Sequence, residues 1–229
     1  MSQDTPQFRV PLWLRLKRNF LKALIKPLFH ILFTVEISGQ ENIPVGSSYV
    51  IAYNHVSIFE PPFVLAFWPE FPEALAGHDV WDRGGLQGIM VKFFGAIPVK
   101  RGEYDRNSVE AMLSILNSGK ALMISPEGGR SHTIGMRKAN PGIAYLVDRA
   151  NVPVVPVAII GTNDDAFKQT FNGNRPTFML KIGKPFSLPP ITEKGAARRA
   201  ARQRNADRVL QEIGAMLPEE YHGVYSGKI

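Results

Sequence analysis

The stretch Tyr49-Val50-Ile51-Ala52-Tyr53-Asn54-His55-Val56-Ser57-Ile58-Phe59-Glu60-Pro61-Pro62 decides the fold: five uncharged residues run into a polar turn that carries an imidazole and a carboxylate. A strand wetted on one face alternates apolar and polar side chains, whereas a run that is apolar throughout predicts a strand covered on both faces. Similar short runs occur at 96–99, 120–125, 154–160 and 178–182. Helical stretches separate them. The clearest begins at Asp105, a capping residue, continues through Val109, Met112, Leu113 and Leu116 at i, i+3, i+4 and i+7, and stops at Gly119. This alternation predicts an α/β fold with a mixed, largely parallel sheet flanked by helices.

Upstream of the sheet, residues 1–34 read as amphipathic. At about 100° per residue, Arg15, Arg18, Lys22 and Lys26 share one face, Trp13, Leu16, Phe20 and Leu24 share the opposite one, and Lys17 is out of place. Pro27 disfavours helical geometry at Lys26 and suits the start of a second short helix, so the expectation is an N-terminal amphipathic helical hairpin. Such a segment either lies on an anionic membrane surface or packs on the catalytic domain. The longest uncharged run here is 27–35, well short of the roughly 18 to 20 residues that span a bilayer, so no transmembrane helix is expected. The scattered basic residues also differ from a signal peptide. Downstream, 192–208 is rich in Ala and Arg and predicts a basic helix. The expected organisation is 1–34 membrane-surface helices, 35–190 catalytic α/β domain, and 191–229 basic C-terminal helix and tail in the same globule.

With 229 residues, 45% apolar and 21% charged, the chain is long enough for one domain with its own core. A formal charge of +7 favours anionic partners without choosing among membranes, nucleic acids and phosphorylated substrates. The chain has no cysteine, which excludes a thiol nucleophile, a disulfide framework and thiolate zinc ligation. No aromatic-interleaved basic patch or nucleic-acid motif is present, so nucleic acid is not an expected partner.

Ends of strands in open α/β sheets are where sites form, and three of them carry chemistry here. His55 and Glu60 pair a potential general base with a carboxylate able to fix its tautomer. Lys100 and Arg101 end the run 96–99 beside Gly102, either as a phosphate-holding turn or as a solvated basic one. Ser125-Pro126-Glu127-Gly128-Gly129-Arg130-Ser131 follows another apolar run, with glycines that admit a close ligand and an arginine whose fork matches a phosphate.

In this order and spacing the blocks resemble the glycerolipid acyltransferase superfamily, typified by lysophosphatidate acyltransferases. Asn54, His55, Ser57 and Glu60 resemble its Asn-His-x-Ser-x-x-Asp block, 95–101 its glycine-to-arginine block, 125–131 its Phe-Pro-Glu-Gly-Thr-Arg-Ser block, and 152–157 its Val-Pro-hydrophobic-Pro strand. Glu60 stands in place of aspartate, Ser125 of an aromatic and Gly129 of threonine.

The resemblance implies acyl transfer from acyl-CoA or acyl-carrier protein, as co-substrate, to the hydroxyl of a membrane lipid acceptor, with no cofactor and no metal. The implied acceptor is 1-acylglycerol-3-phosphate; the alternatives are a glycolipid, ornithine lipid or pigment alcohol as acceptor, or an inactive membrane-binding relative. His55 would be the general base and Glu60 its orienting partner. Arg101 and Arg130, assisted by Lys100, would hold the acceptor phosphate. Glu127 with Gly128 would position the glycerol or shape the turn, with a purely structural ion pair as the alternative for Glu127. The implied location is the cytoplasmic face of a membrane, peripheral or monotopic.

Overall fold

The computed structural model describes residues 8–82, 84–100, 105–131, 133–163 and 165–229. In chain order its elements are α1 (Leu12–Leu32), β1 (Thr34–Ser38), β2 (Val50–Tyr53), α2 (Glu60–Phe67), β3 (Glu73–Gly77), α3 (His78–Asp82), α4 (Gly85–Phe94), β4 (Ile97–Val99), α5 (Arg106–Asn117), β5 (Leu122–Ile124), α6 (Gly142–Ala150), β6 (Val154–Ile160), α7 (Ala166–Phe171), β7 (Thr177–Ile182) and α8 (Gly195–Gly214). Short 3-10 turns complete the tail. The strands form a seven-stranded sheet in the order β1-β7-β6-β2-β5-β3-β4, parallel except where β6 meets β7. This is the expected mixed, largely parallel sheet.

Burial explains why the strands differ in how they read. Central β2 is buried at every position and β6 at all but its last, whereas β7 alternates and edge strand β1 is exposed at every other residue. Alternation along β2 divides the core: Ile51 and Tyr53 join the α1 and α2 side with Phe29, Phe63 and Phe178, and Val50 and Ala52 join the α5, α6 and α8 side with Leu116, Ile143 and Val209. Asp105 caps α5 by accepting from Asn107 N at 3.1 Å, and Gly119 follows the helix at φ +76°, both as expected. Helix α8 runs beyond the expected 192–208 because Val209, Leu210 and Ile213 fasten its second half to the core.

The N-terminal hairpin is not formed. Helix α1 runs unbroken for 21 residues with Pro27 inside it. A proline in a helix interior costs on the order of 3 kcal/mol. Here that cost is offset by core contacts on both sides of it, from Leu21 and Ile25 before and from Phe29 and Phe33 after. Phe33 stacks on Phe178 at 4.0 Å, and Phe29 meets Phe63 at 5.2 Å.

The expected basic face is also divided. Arg15 and Lys26 are exposed, but Arg18 is buried, donating two bonds to Glu73 at 2.8 and 2.7 Å and one to Phe94 O at 2.9 Å. Lys22 donates to Trp68 O. The exposed stripe is the apolar one, with Trp13, Phe20 and Leu24 at 58%, 64% and 59% exposure and Leu12, Leu16, Leu28 and Ile31 along the same surface. No helix among the described residues is long and apolar enough to cross a membrane.

Candidate active site

The site begins where β2 leaves the sheet. Asn54 is fully buried and uses its amide as a strand residue would, donating to Ile159 O at 2.9 Å and accepting from Ile159 N at 2.8 Å. The chain is thereby held to β6 up to Asn54, and His55 is the first residue free to project past the strand end. Helix α2 then starts at Glu60, with Pro61 and Pro62 in a first turn whose N–H groups would have no helical acceptor.

One carboxylate organises this turn. Glu60 is fully buried and accepts from Val56 N at 3.1 Å, from Ser57 N at 2.9 and 3.0 Å, and from the Thr162 hydroxyl at 2.7 Å. Its Oε2 lies 2.6 Å from His55 Nδ1. An ionised carboxylate is all acceptor, so these donors suit it, as does its place at a helix N-terminus. With Nδ1 held by Glu60, the second ring nitrogen of His55, Nε2, is the one presented to a ligand.

The loop after β5 holds the backbone of the same histidine. His55 N donates to Glu127 Oε1 at 3.1 Å, and Ser131 N donates to His55 O at 2.7 Å. Glu127 is buried, and its other oxygen accepts from Arg137 N at 2.8 Å. Burial pushes its carboxyl above the usual range, and the bonds from Arg137 and His55 pull it back only in part. The Arg137 guanidinium bonds Glu127 O at 3.3 Å and Gly129 O at 2.5 Å, closing the turn from outside. Gly128 adopts φ +72°, a conformation costly for a residue with a Cβ.

The tail braces this loop from behind. Tyr225 OH accepts from Ala139 N at 2.9 Å and donates to Asp207 at 2.7 Å, while Tyr221 O accepts from Met136 N at 2.9 Å.

His55 opens onto a cavity of about 510 Å³ bounded largely by apolar groups, among them Leu21, Leu65, Ala74, Val91, Met112 and Leu146. Lys100 and Gly128 line it as well. Arg130 is half-buried on the loop and is not among the described residues lining the cavity, and Arg101 lies outside the described residues. Sequence reading missed Thr162 and Tyr225, which come from distant segments, and Arg137, which lies ten residues beyond Glu127; no local motif marks any of them.

The fold and the strand-end blocks agree with what comparison shows. Residues 34–160 match the profile of the Acyltransferase family, more than half of the chain, and the protein belongs to that family. It is 27% identical over 194 residues to the 1-acyl-sn-glycerol-3-phosphate acyltransferase of Saccharomyces cerevisiae, a match covering 79% of this chain and 61% of that protein. It is 24% identical to the protein of the same name from Bacillus subtilis, over 78% of this chain and 89% of the relative. The chain thus spans about three-fifths of the yeast relative and most of the bacterial one. In fold it is similar to the crystal structure of the 1-acyl-sn-glycerophosphate acyltransferase PlsC from Thermotoga maritima, with TM-score 0.59 and 20% identity over 88% of this chain and 81% of that one.

Proposed function

We propose that the protein transfers a fatty acyl group from an acyl thioester, acyl-CoA or acyl-carrier protein, to the hydroxyl of 1-acylglycerol-3-phosphate, giving phosphatidate. The carrying observation is the His55–Glu60 pair, 2.6 Å apart, opening onto an apolar cavity. The names of the relatives supply the acceptor.

In this reading the acceptor hydroxyl gives its proton to His55 Nε2 as its oxygen attacks the thioester carbonyl. Glu60 fixes the tautomer that leaves Nε2 unprotonated and stabilises the imidazolium that forms. The tetrahedral intermediate collapses with cleavage of the C–S bond, and the imidazolium proton passes to the departing sulfur. The steps need no covalent acyl-enzyme, metal or cofactor. Lys100 faces the cavity and, with Arg101 and Arg130, is assigned to the acceptor phosphate; Glu127 and Gly128 shape the turn behind the histidine.

Helix α1 docks the enzyme on the cytoplasmic face of a membrane as a peripheral or monotopic protein. The support is its outward stripe of Trp13, Leu16, Phe20 and Leu24. At about 1.5 Å per residue, α1 lying flat would cover roughly 30 Å of surface.

The test is thiol release from acyl-CoA and from acyl-carrier protein with lysophosphatidate in anionic vesicles. Acceptor-dependent release with matching phosphatidate is expected. His55→Ala should lower it about a hundredfold or more in a folded protein. Unchanged turnover in that variant overturns the mechanism, and equal use of an uncharged lysolipid overturns the phosphate assignment.

A further inference from the structure

Ser125 follows β5 directly and lines the cavity that His55 enters. Its Oγ is buried and meets no hydrogen-bond partner among the described residues. A buried hydroxyl left unpaired is destabilising, and an alanine there would avoid the penalty. Strand register gives its surroundings. Ala52 of β2 pairs with Ile124, and Ala74 of β3 pairs with Met123, so carrying both registers onward sets Ser125 between Tyr53 and Ala76.

Alternation puts this row on the face of Ile51, Met123 and Ala74, the α1 and α2 side of the sheet. Adjacent strands lie about 4.8 Å apart, and the Tyr53 ring is 5.6 Å from that of His55. The hydroxyl therefore stands one strand away from the reaction centre. The same cavity is lined by Leu21, Leu65 and the small side chains of Ala74 and Ala76.

We propose that Ser125 is a specificity-determining residue whose hydroxyl donates to an oxygen at the carboxyl end of the acyl group, either the thioester carbonyl oxygen or a hydroxyl on the adjacent carbons. The assignment rests on the acyl-transfer reading of the site. A phosphate would need cations, and this row has none; a carbonyl or hydroxyl oxygen needs one neutral donor. A hydrocarbon chain leaving the carbonyl would then run along the apolar groups beyond it.

The experiment compares the full chain with Ser125→Ala and Ser125→Thr, using palmitoyl-CoA and 3-hydroxypalmitoyl-CoA with lysophosphatidate vesicles. Ser125→Ala should lower the donor kcat/KM by roughly three- to a hundredfold, the worth of a lost buried hydrogen bond, with the acceptor KM unchanged. Its melting temperature should equal or exceed that of the wild type, since no protein bond is removed. Ser125→Thr should retain most of the activity. Equal losses with both donors identify the carbonyl oxygen; a loss confined to the hydroxylated donor identifies the chain hydroxyl. Wild-type kcat/KM in Ser125→Ala with both donors overturns the proposal.

Calorimetric binding of the same donors in a His55→Ala background separates this result from failure of the acyl-transfer reading. Donor affinity that depends on Ser125 supports the contact even where turnover is absent, and affinity indifferent to Ser125 overturns it.

Discussion

The Thr162 hydroxyl donates at 2.7 Å to the carboxylate of Glu60, the group whose other oxygen lies 2.6 Å from His55 Nδ1, although Thr162 and Glu60 are 102 positions apart. The loop after β6 thus helps to aim the histidine that follows β2.

Substitutions at this carboxylate should separate tautomer from position. In Glu60→Gln the amide oxygen can keep the bonds from Val56, Ser57 and Thr162, which leaves its NH2 facing His55 Nδ1. That donor forces the proton onto Nε2, where the imidazole can no longer accept one from the acceptor. Turnover should fall at least about a hundredfold in a folded protein, as expected when a base is held in the wrong tautomer. Thr162→Val removes one of several donors and should lower kcat only about three- to tenfold, with little change in KM. Glu60→Gln turning over near the wild-type rate would refute the tautomer argument.

The apolar face of α1 gives the second prediction. Trp13, Phe20 and Leu24 are more than half exposed, so Trp13→Asp or Phe20→Asp should leave the melting temperature nearly unchanged. If the stripe enters a lipid interface, each should weaken vesicle association by roughly ten- to a hundredfold, the partition equivalent of about 1.5 to 3 kcal/mol per large apolar side chain. Sedimentation with anionic vesicles at low and high salt reads it. Undiminished binding in both variants would assign membrane contact elsewhere. Deleting the helix is a poorer test, because Arg18 and Phe29 belong to the interior.

What could be read from the sequence follows the range of the interactions. β2 and β6 are legible because strands covered on both faces are apolar throughout, and α5 because its cap, its stripe and Gly119 are all local. His55 and Glu60 could be paired because the turn between them is short. By contrast, β3 reads Glu-Ala-Leu-Ala-Gly, with too little β-branched or aromatic character to announce a strand, and only pairing with β5 and β4 makes it one. Amphipathicity distinguishes two faces of α1 but does not show that Arg18 alone of the basic residues is buried. That is settled by Glu73, a partner 55 residues away. Pro27 misled for the same reason, since its effect was overridden by aromatic packing from α2 and β7.

The Arg18–Glu73 pair gives the third prediction. Both side chains are almost wholly buried, at 1% and 2% exposure. Removing one partner of a buried pair leaves a charge without compensation and costs about 3 to 5 kcal/mol. For a domain of this size that corresponds to a fall in Tm on the order of 10 °C. Arg18→Met should show it in thermal unfolding. The double change Arg18→Met with Glu73→Leu should recover most of the loss, because an apolar replacement of the whole pair is close to neutral. A double variant as unstable as the single one would mean that the guanidinium bond to Phe94 O at the end of α4, rather than the ion pair with β3, holds α1 in place.

Glu127 gives the last prediction, a pH dependence whose sign distinguishes two opposing effects. Burial raises its carboxyl above the ordinary value, and bonds from Arg137 N and His55 N oppose that shift without cancelling it. Because the folded form holds its proton to a higher pH, the unfolded chain releases its own first as the pH rises. The contribution of Glu127 to stability is therefore fully present below the unfolded carboxyl value and is lost as pH rises through the folded one. A glutamine side chain does not titrate, so the Tm of the wild type minus that of Glu127→Gln should decline with rising pH across this window and stay flat on either side. Thermal unfolding followed upward in pH from about 4, near the ordinary carboxyl value, measures the difference. A gap that widens with pH would show that the two amide donors and the Arg137 guanidinium outweigh burial, and that the carboxyl is held below its ordinary value.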